Sequence, residues 1–485
     1  MGTSMLIIIT VYIGALMLIS YFVSKKGSDN DAFFLGNKKS PWYIVAIGML
    51  GDSISGVTFV SVPGMVSQFD MSYMQMVLGF FPGYLIVAFV LLPLYYRLNL
   101  TSIYGYLDTR FGNSSYKTGA SFFILSRIVG SASKLYLIAL ILQTLIFDQW
   151  NIPFYATVAG IIALIWAYTH KSGMKTIVWT DALQTICLLA ALILIIWQVA
   201  SRLGFDISQA IDTVRTSQHS RIFFFDDWAS RQNFFKQFLS GIFIVIVMTG
   251  LDQNMMQKNL TCKNLKDAQK NMVTYGFGFI PMNYLFLSLG ILLLAFISAH
   301  GISLPGKSDQ ILPMLATEYL GFPVLACFTI GIIAASFSNA DSALTSITTS
   351  TCVDLLGTET KDQQTSKKIR SRVHMLVCLV FFVVILFIDQ ISQNSILNTI
   401  YKLASYTYGP LLGLFFFGLF TKISIKDKFA PIVCILAPTL SYLTEFLLSK
   451  FWNYQVGYEI LLLNGLLTVI GLICILQRKL NRTNF

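Results

Sequence analysis

An all-α, multi-pass membrane protein is the fold class this sequence predicts, on three observations. Hydrophobic residues make up 55% of the 485-residue chain and charged residues only 12%, against roughly a quarter charged in soluble domains. The mean hydropathy is +0.68. Apolar runs of about 20 residues recur from end to end, each long enough as a helix to cross a hydrocarbon layer of roughly 30 Å. A β-barrel would instead show short segments of alternating hydrophobicity. The net charge of +11 does not point to nucleic acid, because the basic residues sit in short loops between the runs. The seven cysteines are scattered and include no CxxC pair, so neither a disulfide framework nor a zinc site is indicated.

The first run, near 5–24, is too long and too poorly followed by small residues for a cleaved leader, and reads as a retained helix. Five further spans fall near 41–66, 72–98, 118–147, 153–170 and 174–202, and five more near 234–259, 272–299, 312–348, 371–390 and 395–421. Two last spans fall near 427–449 and 456–477, about thirteen in all, with no water-soluble domain left over. With the N-terminus outside, cytoplasmic loops hold 24 Lys and Arg, Lys258 among them, and outside loops hold 7. That bias predicts an outside N-terminus and a cytoplasmic C-terminus in a plasma membrane, the inner one in a Gram-negative cell. A lone first helix leaves room for a five-plus-five repeat. The chain, 1–485, is then a single transmembrane domain: an extra helix at 5–24, a first repeat at 41–202, a second at 234–421, and two C-terminal helices at 427–477.

Both halves open on a helix interrupted by polar residues and glycine: LGDSISG, Leu50–Gly56, and MTGLDQN, Met248–Asn254. Interrupted helices at corresponding positions are the best sequence pointer to a site between inverted repeats. A break frees backbone N–H and C=O groups, which is tolerated at membrane depth only where protein or a cavity surrounds them. Gly51 and Gly56 are read as loosening the first of these helices.

Charged residues recur inside the predicted spans, among them Asp52, Arg127, Lys134, Asp181, Asp252, Asp341 and Lys402. Each costs at least roughly 2.5–3.5 kcal/mol at the bilayer centre on insertion scales. One reading pairs them with each other to hold helices together. The other makes them ligands, and it gains weight from GIIAASFSNADSALTSITTS, Gly331–Ser350. Ala335, Ser338, Ser342, Thr345 and Thr349 recur at helical spacing and form one stripe. Small hydroxyl residues also serve as packing glue between membrane helices, but Asn339 and Asp341 add stronger oxygen ligands. A desolvated Na+ needs several oxygens and a formal negative charge nearby. This helix, beside an unwound stretch at 50–56, offers both. Asp181, in VWTDALQT, is either interfacial or a second carboxylate for a cation.

Taken together and in order, LTSIYGYLDTRFG (Leu100–Gly112), TIVWTDALQ (Thr176–Gln184), DQNMMQK (Asp252–Lys258), the serine stretch above and YGPLLGLFFFGLFTK (Tyr408–Lys422) resemble the sodium:solute symporters over nearly the whole chain. The resemblance implies the inverted-repeat fold typified by leucine transporters. It implies Na+-coupled import of a small polar organic solute by alternating access: a sugar, a sugar acid such as sialic acid, or another carboxylate or zwitterion. Na+ would be the coupling ion, with no organic cofactor. The shared sodium site maps to the carbonyls of Gly51, Ile54 and Ala335 and the side chains of Ser338 and Asn339, with Asn339 in place of the usual serine or threonine. A second sodium site found in some members maps to Asp181, Ser338, Asp341 and Ser342. Asp341 replaces a hydroxyl there, so this site either binds Na+ more tightly or has one carboxylate neutralised by a base such as Lys134. Substrate-facing positions map to Asp52, Ser55, Thr58, Tyr73, Gln75, Lys134, Thr249 and Gln253. The arginine that grips a carboxylate in sialic-acid-type members aligns with Gly130, about one turn from both Arg127 and Lys134. Asp52 is not a usual ligand, and two readings stay open for it: it binds the solute or pairs with Lys134.

Other classes are less well supplied. A membrane-embedded transferase needs an acid/base constellation, often His with Asp. The four histidines, His170, His219, His300 and His374, fall in or beside loops without an HExxH motif, and no GxxxxGK phosphate loop occurs. A transporter-like sensor would carry an output module, and Phe485 follows the last run closely. A channel is a further alternative, against which the interrupted helices weigh. The chain is read as a carrier and not an enzyme. Its expected partners are the solute, sodium ions and the lipid bilayer, with no nucleic acid and no protein partner evident.

Overall fold

The computed structural model describes residues 2–24, 29–170, 173–228, 230–391, 396–452 and 459–477. Among these, the regular structure is helical, and the extended pairings are two isolated bridges, Ser40 with Cys262 and Ile425 with Leu476. The helices of the bundle are α1 (Gly2–Ser24), α2 (Trp42–Ser53), α3 (Gly56–Phe69), α4 (Tyr73–Ile86), α5 (Asn113–Leu142), α6 (Phe154–Thr169), α7 (Met174–Arg202), α8 (Phe234–Val245), α9 (Gln253–Leu260) and α10 (Leu265–Ala299). They continue as α11 (Phe322–Ser350), α12 (Gln363–Ile391), α13 (Ile396–Phe420), α14 (Ala430–Trp452) and α15 (Glu459–Cys474).

Among the described residues, eight helices are long and apolar enough to cross a membrane, or ten if each of two bent pairs is one span. The bent pairs are α2 with α3, at 62°, and α8 with α9, at 65°. They are the two helices whose sequences were read as interrupted. The remaining predicted spans correspond to shorter apolar helices, Phe154–Thr169, Ser405–Phe420 and Glu459–Cys474. Where 312–348 was expected as one span, the structure has a short piece at Ile311–Tyr319, a turn at Gly321 with φ +80°, and then α11. A positive φ is open to glycine without a Cβ clash, so the chain can turn there before the long helix starts.

At the centre stands α11. From Gly331 to Ser350 every residue is buried. A helix buried on all sides has no lipid or water face, so its serines and threonines are not one polar stripe on an otherwise apolar helix. They face neighbours all round: α2, α3, α5, α7 and α9 all pack against it.

Elsewhere, close helix contact depends on glycine. A Cβ on Gly79 of α4 would lie 2.1 Å from the Phe238 carbonyl oxygen of α8, and one on Gly241 of α8 would lie 2.3 Å from that of Met76. Backbone atoms cannot swing aside as a side chain can. Gly79→Val and Gly241→Val should therefore each cost about 1–3 kcal/mol, the usual range for overpacking, and lower the midpoint of thermal unfolding in detergent. Gly160→Val, at a position with nothing within 4 Å, should leave that midpoint where it is. Equal midpoints for all three variants would contradict the packing described.

Candidate functional site

The first helix break lies just past the aspartate. α2 is regular through Ser53, and Ile54 then adopts extended backbone with φ −93° and ψ 99°. Ser55 caps α3, its Oγ accepting from the Thr58 N–H at 3.3 Å, the usual way a helix start satisfies a spare donor. Gly51 and Gly56 do not loosen the helix, as the sequence suggested; both lie within regular turns. They admit neighbours instead. A Cβ on Gly51 would fall 2.1 Å from Thr185 Oγ1 of α7, and one on Gly56 would fall 2.7 Å from Ser336 Oγ of α11. The Thr185 hydroxyl donates to the Ile47 carbonyl at 2.8 Å. The broken helix is thus held between α7 and α11.

Asp52 occupies the last turn of α2 and is buried. The end of a helix dipole that it faces disfavours a negative charge, and burial disfavours any charge without a partner. The partner is Lys258 of α9. Its Nζ lies 3.0 Å from Asp52 Oδ2 and 2.5 Å from Asp181 Oδ2 of α7. Asn254, one turn earlier on α9, donates through Nδ2 to the same Asp52 oxygen at 2.8 Å. Ser338 Oγ of α11 donates to Asp181 Oδ1 at 2.7 Å. Ser342 Oγ lies 3.3 Å from both Asp181 Oδ2 and Asp341 Oδ1. The Tyr168 hydroxyl donates to Asp341 Oδ2 at 2.9 Å. Helices α2, α7, α9 and α11 meet at these groups.

Lys258, counted with the loop charges from sequence, is therefore a core residue, 1% exposed. Removing it from that count leaves the charge bias between loops intact. A signal was present in DQNMMQK. With Asp252 capping α9, Asn254 and Lys258 fall one turn apart on the same face. The pairing of Asp52 with Lys134 is likewise corrected, since Lys258 takes that place. Among the described residues Lys134 makes no ion pair. It is half-buried on α5, with Arg127, Asp52 and Asp252 as charged neighbours. One turn before it, Gly130 faces open space, with nothing within 4 Å of a Cβ built there. Asp181 is wholly buried inside the bundle.

The second break is built differently. Leu251 and Asp252 leave helical geometry, and the Asp252 carboxylate caps α9 by accepting from the Met255 N–H at 3.1 Å. Arg127 of α5 grips the same carboxylate with two bonds, Nε to Oδ2 at 2.9 Å and Nη2 to Oδ1 at 2.7 Å. Tyr408 of α13 adds its hydroxyl to Oδ2 at 2.5 Å. A bidentate guanidinium–carboxylate pair fixes geometry as well as charge. The carbonyls freed at this break are met by tyrosines: Tyr95 donates to Gly250 at 2.8 Å and Tyr104 to Leu251 at 3.1 Å.

The other sequence candidates divide. At the first break, Asn339 Nδ2 donates to the Asp52 carbonyl at 3.4 Å, which ties α11 to the end of α2. Ala335, one turn before Asn339 on α11, is buried. Asn339 Oδ1 and Asp52 Oδ1 are buried with no hydrogen-bond partner. Buried polar oxygens are nearly always satisfied, so these two are free to take a donor or a cation. Ser55 and the half-buried Thr58 lie at the start of α3 beside them. Thr249 is buried in the turn that leads into the second break. Tyr73 begins α4 and neighbours Tyr84, whose hydroxyl joins Ser53 through Tyr275. Two glutamines are held by backbone. Gln75 ties down the 224–232 segment, accepting from Phe224 N–H at 3.0 Å and donating to the Gln232 carbonyl at 2.8 Å. Gln253 accepts from Ile103 N–H at 2.9 Å and donates to the Thr101 carbonyl at 3.0 Å. The Lys402 side chain lies outside what is described.

Two broken helices that meet a buried ion cluster at the centre of the bundle are the arrangement found where membrane carriers bind their ligands. Comparison with known proteins agrees. Residues 33–425 match the sodium:solute symporter family, and the chain belongs to that family. It is 23% identical to the sodium/sialic acid symporter NanT of Aliivibrio fischeri, over 96% of this chain and 93% of the relative. It is 28% identical to the sodium-dependent multivitamin transporter of Oryctolagus cuniculus over 78% of this chain, but spans only 59% of that longer protein. The fold is shared with a solved Na+-coupled sialic acid symporter in a substrate-bound outward-open state, with TM-score 0.82, 19% identity and 98% of both chains covered. It is shared more distantly with Mhp1, a nucleobase-cation-symport-1 family transporter, with TM-score 0.56, 14% identity, 90% of this chain and 92% of that one. Na+ is the coupling ion of the family to which the chain belongs.

The Arg127–Asp252 pair gives a test of the geometry. Arg127→Met leaves Asp252 a buried carboxylate without a cation, and should cost about 3–5 kcal/mol, read as a lower unfolding midpoint. Adding Asp252→Asn should restore part of the loss. A double variant no more stable than Arg127→Met would show that the two residues are not coupled.

Proposed function

We propose that this chain imports a small organic acid or zwitterion together with Na+ by alternating access. The architecture proposed is thirteen spans around a five-plus-five core, the repeats being 41–202 and 234–421, with the N-terminus outside and the C-terminus cytoplasmic. The observation that carries the reading is the first helix break. It opens against α11 where Asn339 Oδ1 and Asp52 Oδ1 are buried and unpartnered, while at the second break Tyr95 and Tyr104 take the Gly250 and Leu251 carbonyls.

Na+ is held by the carbonyls of Gly51, Ile54 and Ala335 with Ser338 Oγ and Asn339 Oδ1. The asparagine fits this place because its amide splits the work. Nδ2 tethers the Asp52 carbonyl, and Oδ1 stays free for a hard cation that takes oxygen ligands. Tying α2 to α11 orders Ile54 and Ser55, and with them Ser55 and Thr58 on the solute side. A cation and a solute that each favour the ordered break favour one another, and that mutual preference is the coupling. On the facing helix, Lys134 is the half-buried cation without an ion pair, and open space at Gly130 lies one turn away. Lys134 takes the carboxylate of the solute, and Asp52 Oδ1 takes an amine or hydroxyl. Relatives named for sialic acid and monocarboxylate transport support an acidic solute.

The solute is found by a thermal-shift screen of sugars, sugar acids, amino acids and vitamins with and without Na+, since a ligand of the folded state raises its stability by mass action. In proteoliposomes an inward Na+ gradient should drive its uptake and a K+ gradient should not. Uptake indifferent to that exchange sinks the reading. Ser338→Ala and Asn339→Leu should each reduce uptake about tenfold at fixed Na+, the equivalent of roughly 1.4 kcal/mol for one lost ligand. Lys134→Gln should raise KM for an acid about tenfold or more, as loss of a charge-assisted hydrogen bond of roughly 1.5–3 kcal/mol requires. Stabilisation by Na+ alone should survive that substitution. An unchanged KM would remove Lys134 from the site.

A further inference from the structure

Carboxylate oxygens of Asp181 and Asp52 converge on one point beside the proposed Na+ position, and a cation is already there. Lys258 Nζ lies 2.5 Å from Asp181 Oδ2 and 3.0 Å from Asp52 Oδ2. Ser338 and Ser342 brace Asp181 from α11. We propose that the Lys258 ammonium is a tethered cation filling the second cation position of the site, so that the chain takes up one Na+ and not two in each cycle. This rests on the reading of the first sodium site above.

Three features support the assignment. The first is chemical type. An ammonium is a compact charge with three donors, and carboxylate oxygens at these distances satisfy it as they would a small metal cation. A Na+ bound to Asp181 would have to share its carboxylate with that ammonium, one positive charge against another away from water. The second is the tether. α9 is buried along its whole length. Gln257, next to the lysine, donates to the Phe34 carbonyl at 2.7 Å and to Thr349 Oγ1 of α11 at 2.8 Å. The Lys258 carbonyl accepts from Thr261 Oγ1 at 2.7 Å. The backbone that carries the ammonium is therefore pinned on both sides. The third is the pairing pattern. Lys258 Nζ takes Oδ2 of Asp181 and Oδ2 of Asp52 together. Asp341 is turned to hydroxyl groups, those of Tyr168 and Ser342, rather than to Lys258. Of Asp181, Ser338, Asp341 and Ser342, which the sequence suggested as a second sodium site, Asp181 holds an internal cation in place of Na+, braced by Ser338 and Ser342.

The test counts ions rather than transport. Purified full-length protein in lipid nanodiscs, without solute, is equilibrated with radiolabelled Na+, and its unfolding midpoint is followed against Na+ concentration. The wild type should bind one Na+ per chain with a Hill slope near one. Lys258→Met, which frees the position between Asp181 and Asp52, should bind two with a steeper slope. Asp181→Asn should still bind one, because Asp181 serves the lysine. Two Na+ on the wild type, falling to one in Asp181→Asn, overturns the proposal and leaves the first site standing. A folded Lys258→Met variant that binds only one also overturns it. No bound Na+ on the wild type overturns the first-site reading and this proposal with it. If Lys258→Met does not fold, the wild-type and Asp181→Asn counts decide.

Discussion

A buried charge must find its counter-charge inside the bundle, and the Lys258 ammonium is where this constraint gathers the structure. It draws Asp52 at the end of α2 and Asp181 in α7 to one point, while Ser338 and Ser342 bring α11 to the same carboxylate. Ion pairs out of water are weak evidence for stability, because desolvation offsets most of their attraction. They are strict about arrangement, however. Sliding any of the four helices by one turn would strand a carboxylate or the ammonium, and an unpaired charge there is far more costly than a lost contact. The cluster therefore fixes the relative position of the helices between which the coupling ion would bind.

The two broken helices answer the same backbone problem in opposite ways. At the second break, protein groups meet the freed carbonyls, and Asp252 is locked by Arg127 and Tyr408 while capping α9. That break is a fixed joint, and its rigidity is what lets α9 present Lys258 at a defined depth. At the first break, a single long amide contact spans from α11 to the Asp52 carbonyl, and two side-chain oxygens nearby have no partner. A site that leaves polar groups unsatisfied out of water is under pressure to bind something that satisfies them. The first break is where α11 and the buried ion cluster meet the interrupted helix, and the second is held by Arg127, Tyr408, Tyr95 and Tyr104.

Around both breaks, packing density comes from residues too small to separate backbones. Gly51 lets α2 lie on Thr185, Gly56 lets α3 lie on Ser336, and Gly79 with Gly241 joins α4 to α8. Membrane helices lack a hydrophobic drive toward each other and gain instead from close approach and shared hydrogen bonds. The glycines supply the first and the hydroxyls of α7 and α11 the second. With α11 buried on every side, a shift at the α2–α3 break is passed to it directly, since a close-packed neighbour cannot absorb the motion.

The helical membrane class, the two interrupted helices and most of the charged site residues were legible in the sequence, because hydropathy and the cost of intramembrane charge act on each segment by itself. Asp52, Asp181 and Asp341 stood out for that reason, and Ser338 and Asn339 by their place in the Gly331–Ser350 stretch. Partners did not. Lys258 read as a loop charge because it falls at the end of an apolar run, and only the capped, bent start of α9 turns it inward. Lys134 looked like the counter-ion of Asp52 because both are rare charges in spans, yet no local rule brings α5 to α2 rather than α9. Gln75 and Gln253 looked free because a glutamine does not announce which backbone segment it will tie down. Residue type and spacing determined which groups had to be satisfied. Which group satisfies which was decided by tertiary structure, since pairing across helices depends on bends and on glycine-limited approach distances between residues as far apart in the chain as Asp52 and Lys258.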